Sequence, residues 1–121
     1  MQGLHLTADA RGCPADAPAM RDSNALRAMC LGAVAQAGLT PVGELFHSFG
    51  DGGITGVVLL AESHLAVHTW PELGAVTLDV YVCNFGADNS AKAEALMQAL
   101  LAPWQLTEVD RQLLLRGRTS T

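Results

Sequence analysis

Seven ionisable or nucleophilic side chains crowd into one otherwise apolar stretch of this 121-residue chain: Glu62, Ser63, His64, His68, Glu72, Asp79 and Cys83. Three chemistries compete for them. The first is a metal site, because His64 and His68 are four apart, a spacing that holds zinc on a helix. Leu65 follows His64 where that pattern needs a glutamate, and Val67 and Thr69 with Pro71 behind them read as a strand. Strand residues four apart lie about 13 Å from each other, too far to share one ion. The second is a hydrolase nucleophile, but Ser63 lies between Glu62 and His64 rather than in a GxSxG turn. The third is plain packing, in which histidines satisfy backbone carbonyls and free cysteines fill space as small hydrophobes. Packing accounts for His5, His47, Cys13 and Cys30 taken singly. It does not account for Glu62-Ser63, His68 and Cys83 taken together.

The elements that must position these residues follow from periodicity. Gly3–Ala8 alternates as a first strand, and Ala10–Asp22, with Gly12, Pro14 and Pro18, reads as a loop. Ser23 is the expected N-cap of a helix whose apolar face is Leu26, Met29, Cys30, Ala33, Val34 and Ala37, closed by Gly38. Pro41–Phe49 and Ile54–Ala61 form a hairpin around Gly50-Asp51-Gly52-Gly53. Leu65–Trp70 is a short strand stopped by Pro71. Ala75–Cys83 alternates with Val76, Leu78, Val80 and Val82 on one face. Asp88, Asn89 or Ser90 caps a second helix bearing Ala93, Leu96, Met97 and Leu100, and Pro103 ends it. Trp104–Leu115 reads as the last strand, with a polar tail from Arg116 to Thr121. The order β-α-β-β-β-β-α-β predicts an α+β fold. The expected form is one domain over 1–121: a two-layer α/β sandwich with a largely antiparallel sheet and two main helices.

Composition narrows the function. Seven Lys+Arg against twelve Asp+Glu leave a net charge of −5. Lys92 is the only lysine and no basic run exists, so no nucleic-acid partner is expected. Half the residues are hydrophobic and 16% are charged, which opposes disorder. The three cysteines contain no CxxC pair, so neither a disulfide framework nor a zinc site is indicated. The N-terminus has no secretory pattern, and the longest apolar stretch, Gly56–Ala61, is far short of the ~20 residues a membrane helix needs. The expectation is a soluble cytoplasmic protein with no membrane partner and no metal.

The run from Gly53 to Glu72, GITGVVLLAESHLAVHTWPE, resembles the short prokaryotic S-adenosylmethionine decarboxylases. Its most specific part is Ala61–Glu72. Further matches are Phe46-His47 with Phe49, Leu78-Asp79 with Cys83, and a start in Gly3, His5-Leu6 and Gly12-Cys13. The resemblance implies a self-processing proenzyme. The Ser63 hydroxyl attacks the Glu62 carbonyl and converts amide to ester. Loss of the Ser63 α-proton expels the ester, and hydrolysis leaves a covalent pyruvoyl group, a ketone that serves as an electron sink. Cleavage at Glu62–Ser63 would give a β chain of 1–62 and an α chain of 63–121. His68 matches the residue that takes the α-proton. Cys83 matches the residue that protonates the substrate carbon after CO₂ leaves. Thr55 stands where the family often has a serine that assists the acyl shift. The family works as a homodimer with sites near the subunit interface.

Phe49 and Trp70 are the candidates to stack on adenine and Glu72 to accept from ribose hydroxyls, against the alternatives of core aromatics and a solvated carboxylate. Two departures bear on substrate: Ser48 replaces a basic residue, and Asn84-Phe85-Gly86 follows Cys83. The implied activity is decarboxylation of S-adenosylmethionine to the aminopropyl donor of polyamine synthesis. The alternatives are a pyruvoyl-dependent decarboxylase of ornithine or arginine, and a non-catalytic dimeric relative that never cleaves. Residues 63 and 68 differ by an odd number, so on one straight strand they face opposite ways. Ser63 is therefore expected in a turn.

Overall fold

Alternation decides which side of each strand is buried. The computed structural model describes residues 2–84 and 88–117. Its strands are β1 (Gly3–Arg11), β2 (Pro41–Ser48), β3 (Ile54–Leu60), β4 (Ser63–Trp70), β5 (Ala75–Cys83) and β6 (Glu108–Arg116). Its helices are α1 (Pro18–Arg21), α2 (Ser23–Gln36) and α3 (Ser90–Leu101), with a 3₁₀ turn at Pro71–Leu73. The six strands form one sheet in the order β2-β3-β4-β5-β1-β6. Every neighbouring pair is antiparallel. The expected two-layer α+β sandwich is the fold, and its sheet is wholly antiparallel.

One face of the sheet carries the core. Leu4, Leu6, Ala8, Ile54, Val58, Leu65, Val67, Val76, Leu78, Val80 and Val82 are buried against Leu26, Cys30 and Val34 of α2 and Leu96, Met97 and Leu100 of α3. Arg27 of α2 reaches Glu44 of β2 at 2.6 Å, and Arg111 of β6 reaches Glu94 of α3 at 2.8 Å. The other face carries His5, Thr7, Thr55, Val57, His64, Ala66, His68, Thr77, Asp79 and Tyr81, and no helix among the described residues lies over it.

Several boundaries differ from the sequence reading. Asp22, not Ser23, caps α2: its Oδ1 accepts from the Asn24 and Ala25 amides at 2.9 and 3.4 Å. A carboxylate there also suits the positive helix end. The loop expected over Ala10–Asp22 contains α1, seeded by Pro18 at its first turn. The last strand starts at Glu108, because Trp104 turns inward and is buried with the core. Cys13 and Cys30 pack as small hydrophobes. Burial pushes the Cys30 thiol up to about 12. His5 and His47 do not satisfy core carbonyls as expected. His5 bonds Asp79 across the open face, and His47 is exposed with its ring edge against Phe49. Phe85, Gly86 and the tail beyond Gly117 lie outside the described residues.

Thr69 locks α1 to the sheet. Its Oγ1 donates to the Met20 carbonyl at 2.8 Å and accepts from the Ile54 amide at 2.9 Å, all buried. A buried hydroxyl is tolerated because both its roles are filled. Thr69→Val keeps the shape and strands both backbone partners. It is expected to lower unfolding stability by about 2–4 kcal/mol, measured by urea denaturation.

Candidate active site

Ser63 is the first residue of β4, not part of a turn as the odd spacing to His68 suggested. The β3–β4 hairpin turns through Ala61 and Glu62 alone, and Leu60 pairs directly with Ser63. So tight a turn requires unusual backbone. Glu62 has φ +57°, the one non-glycine among the described residues with positive φ. The left-handed region costs a residue with a Cβ about 1–2 kcal/mol. The strain thus sits at Glu62, the residue before the Glu62–Ser63 bond.

Ser63 has one close partner at the sheet end. The Cys83 amide donates to Ser63 Oγ at 3.2 Å. Cys83 closes β5 and is buried, and its carbonyl accepts from Asn89 Nδ2 at 2.8 Å. Asn89 stands at the N-cap position of α3, yet its side chain makes no capping bond and holds β5 instead. Ser63 and Cys83 therefore form one pair.

His68 and Thr55 form another. They face each other across β3 and β4, with Thr55 Oγ1 3.0 Å from His68 Nδ1. A β-branched side chain has few χ1 choices, so the threonine holds its hydroxyl firmly. The two pairs lie at opposite ends of β4. Five residues of strand separate Ser63 from His68, about 16 Å. Ser63 shares the phase of buried Leu65 and Val67, whereas His68 is on the open face with His64 and Ala66. One chain does not bring Ser63 to His68.

The Thr55–His68 pair lines a cavity of about 390 Å³. Phe49 and Trp70 are its aromatic walls, and Asp51 and Glu72 its carboxylates. Phe49 and Trp70 are 51% and 42% exposed, which removes the core-aromatic alternative. Trp70 lies beside His68, ring centroids 6.1 Å apart. Sequence reading found Thr55, His68, Phe49, Trp70 and Glu72 for this cavity but missed Asp51. The signal was there in the Gly-Asp-Gly-Gly turn, which was read only as a connection.

His64, the other half of the histidine pair, stacks on Tyr81 at 5.7 Å and is far from any shared ligand set with His68. No cluster of three or more metal-ligating side chains exists among the described residues. The centre of the open face is a hydrogen-bonded group. Arg116 can only donate, so His5 Nδ1 accepts from it at 3.3 Å and Nε2 donates to Asp79 at 3.0 Å.

Comparison with known proteins gives a consistent result. A family model described as S-adenosylmethionine decarboxylase matches residues 4–112. An S-adenosylmethionine decarboxylase proenzyme of Aquifex aeolicus is 39% identical over 115 residues, covering 95% of this chain and 81% of the relative. One of Pyrococcus horikoshii is 34% identical over 120 residues, covering 98% and 85%. The crystal structure of an adenosylmethionine decarboxylase from Aquifex aeolicus superposes with a TM-score of 0.87 at 37% identity, covering 98% of this chain and 92% of that one.

Proposed function

Because the chain belongs to the S-adenosylmethionine decarboxylase family, we propose that it cleaves itself at Glu62–Ser63 and decarboxylates S-adenosylmethionine for polyamine synthesis. It is a pyruvoyl-dependent carboxy-lyase that makes its own cofactor from Ser63. The observation that carries the site assignment is the split into two pairs, Ser63 with Cys83 and Thr55 with His68, at opposite ends of β4. A second copy, turned end for end against the open face, would set one chain's Ser63–Cys83 end beside the other's Thr55–His68 end. Leu45, Leu59 and Leu114 line that face and are 71%, 49% and 48% exposed, the kind of apolar surface that marks an interface. The working form is a homodimer with two shared sites. No helix among the described residues is long and apolar enough to cross a membrane, and a cytoplasmic location is consistent with that.

The processing chemistry suits these residues. Strain at Glu62 raises the starting energy of the bond to be broken. Ser63 Oγ attacks the Glu62 carbonyl carbon, and the Ser63 nitrogen leaves that carbon as the amide becomes an ester. The partner's Thr55 accepts from Nδ1–H of the partner's His68, which frees Nε2 of that ring to take the Ser63 α-proton. The Glu62 carboxylate departs, and hydrolysis releases ammonia. The products are a β chain of 1–62 and an α chain of 63–121. The pyruvoyl ketone supplies an electron sink for the charge left when CO₂ departs. Phe49 and Trp70 offer flat apolar walls to an adenine ring. Glu72 accepts from ribose hydroxyls. Cys83 Sγ gives a proton to the substrate carbon.

Intact mass after incubation with substrate and cyanoborohydride tests the reading. Two chains split at Glu62–Ser63, with an S-adenosylmethionine-derived adduct on the α chain, are expected. An adduct only with ornithine or arginine would replace the substrate, and a lasting uncleaved chain would sink the enzyme reading. Ser63→Ala abolishes cleavage and activity, whereas Cys83→Ala largely spares cleavage and lowers turnover.

Sharing of the site has its own test. Co-expressed Ser63→Ala and His68→Ala chains are expected to cleave the His68→Ala chain, because its serine meets the intact histidine of the other copy. Failure of both chains to cleave together would mean the site forms within one chain. Glu62→Gly relaxes the turn and is expected to slow processing about fivefold, the rate equivalent of about 1 kcal/mol, followed by gel bands over time.

A further inference from the structure

We propose that Asp51 selects a positively charged substrate in the Thr55–His68 cavity; this rests on the S-adenosylmethionine reading and names a specificity residue within it. Asp51 lines the cavity with Phe49, Trp70 and Glu72. Among the described residues neither Asp51 nor Glu72 is in an ion pair. The lining therefore holds two free carboxylates and, apart from His68, no group able to carry positive charge. Such a cavity attracts a cation and repels an anion.

The turn fixes where the carboxylate stands. Asp51 Oδ1 accepts from the Gly53 amide at 2.9 Å. The Phe49 amide donates to the Gly53 carbonyl at 2.8 Å, and the Gly52 amide to the Phe49 carbonyl at 3.0 Å. The glycines have steric reasons to be there. Gly52 has φ +97°, and a Cβ on it would come 2.7 Å from Arg21 Nη1. A Cβ on Gly53 would lie 3.0 Å from the Thr69 carbonyl oxygen and 3.3 Å from Asp51 Oδ1. The loop is thus a tight clasp between α1 and β4, with Asp51 at its tip and Phe49 at its base. One carboxylate oxygen is tied to the backbone, and the charge stays at the cavity rim. Preorganised charge of this kind discriminates without reorganising.

S-adenosylmethionine carries a sulfonium between its adenosine and its amino acid. An aromatic wall with a carboxylate beside it suits that group. Glu72 is already assigned to the ribose. Asp51 is the remaining carboxylate for the sulfonium.

The test separates charge from shape. Asp51→Asn retains an oxygen to accept from Gly53 and removes the charge. The probes are methylthioadenosine, a neutral thioether, and its S-methylated sulfonium. Neither has an aliphatic amine or a carboxylate to react. Each is measured as a competitive inhibitor of the cleaved enzyme. The wild type is expected to prefer the sulfonium. Asp51→Asn is expected to cut that preference about tenfold while the thioether constant moves less than twofold. Equal losses for both probes would make Asp51 a shape-keeping residue only, and an unchanged preference would remove it from recognition. Either result overturns this assignment alone. A wild type that ignores both probes and S-adenosylmethionine overturns the substrate reading, and the assignment falls with it.

Discussion

Strand β4 runs straight for eight residues, and a straight strand keeps its first and sixth side chains apart in distance and in phase. The rest of the molecule is arranged around that limit. Ser63 is held at one end by the β5 amide of Cys83, and His68 at the other by Thr55 of β3. No rotamer change closes about 16 Å of extended backbone. The proposed processing joins Ser63 to His68, which one chain does not do, and one sheet face is left without a helix over it among the described residues.

That face is suited to being covered. Its centre is polar but already bonded: His5 is engaged at both ring nitrogens, by Arg116 and by Asp79, and Tyr81 packs between His5 and His64. Burying groups that have found partners avoids most of the desolvation cost. Its flanks are apolar, with Leu45 and Leu59 on one side and Leu114 on the other. In the proposed dimer their burial would supply the driving force, since apolar area removed from water is the dominant favourable term in association.

Much of the fold was legible because strands with one buried face alternate. Ala75–Cys83 was read to the residue from its valines, and both main helices followed from their apolar spacing. Non-local pairing was not legible. Nothing in Gly3–Arg11 says that it lies between β5 and β6. Asp22 took the cap from Ser23 because two adjacent residues both suit that role and the register of α2 chose one. Trp104 fits a strand pattern and is drawn into the core by its size. The site residues came from a resemblance, and their grouping into two pairs needed the register of β3, β4 and β5. Ser63 was misplaced because parity was resolved within one chain. The strand keeps Ser63 in the phase of Leu65 and Val67 and His68 on the open face, so one chain does not join them.

The position of the Glu62–Ser63 bond shows how the sheet would survive the proposed cleavage. The Leu60–Ser63 pair is the last rung between β3 and β4, and Ala61 and Glu62 contribute no rung beyond it. The proposed cut after Glu62 would open a turn and no part of the ladder. β3 remains paired with β2, and β4 with β5, so each new end is held from its other side. The proposed cut would free Glu62 from the turn that holds it in the left-handed region. The residues proposed for recognition sit elsewhere, on the Phe49–Gly53 loop and around Trp70 and Glu72. The Ser48 departure, next to Phe49, therefore lies at the proposed substrate end and apart from the bond proposed to make the cofactor.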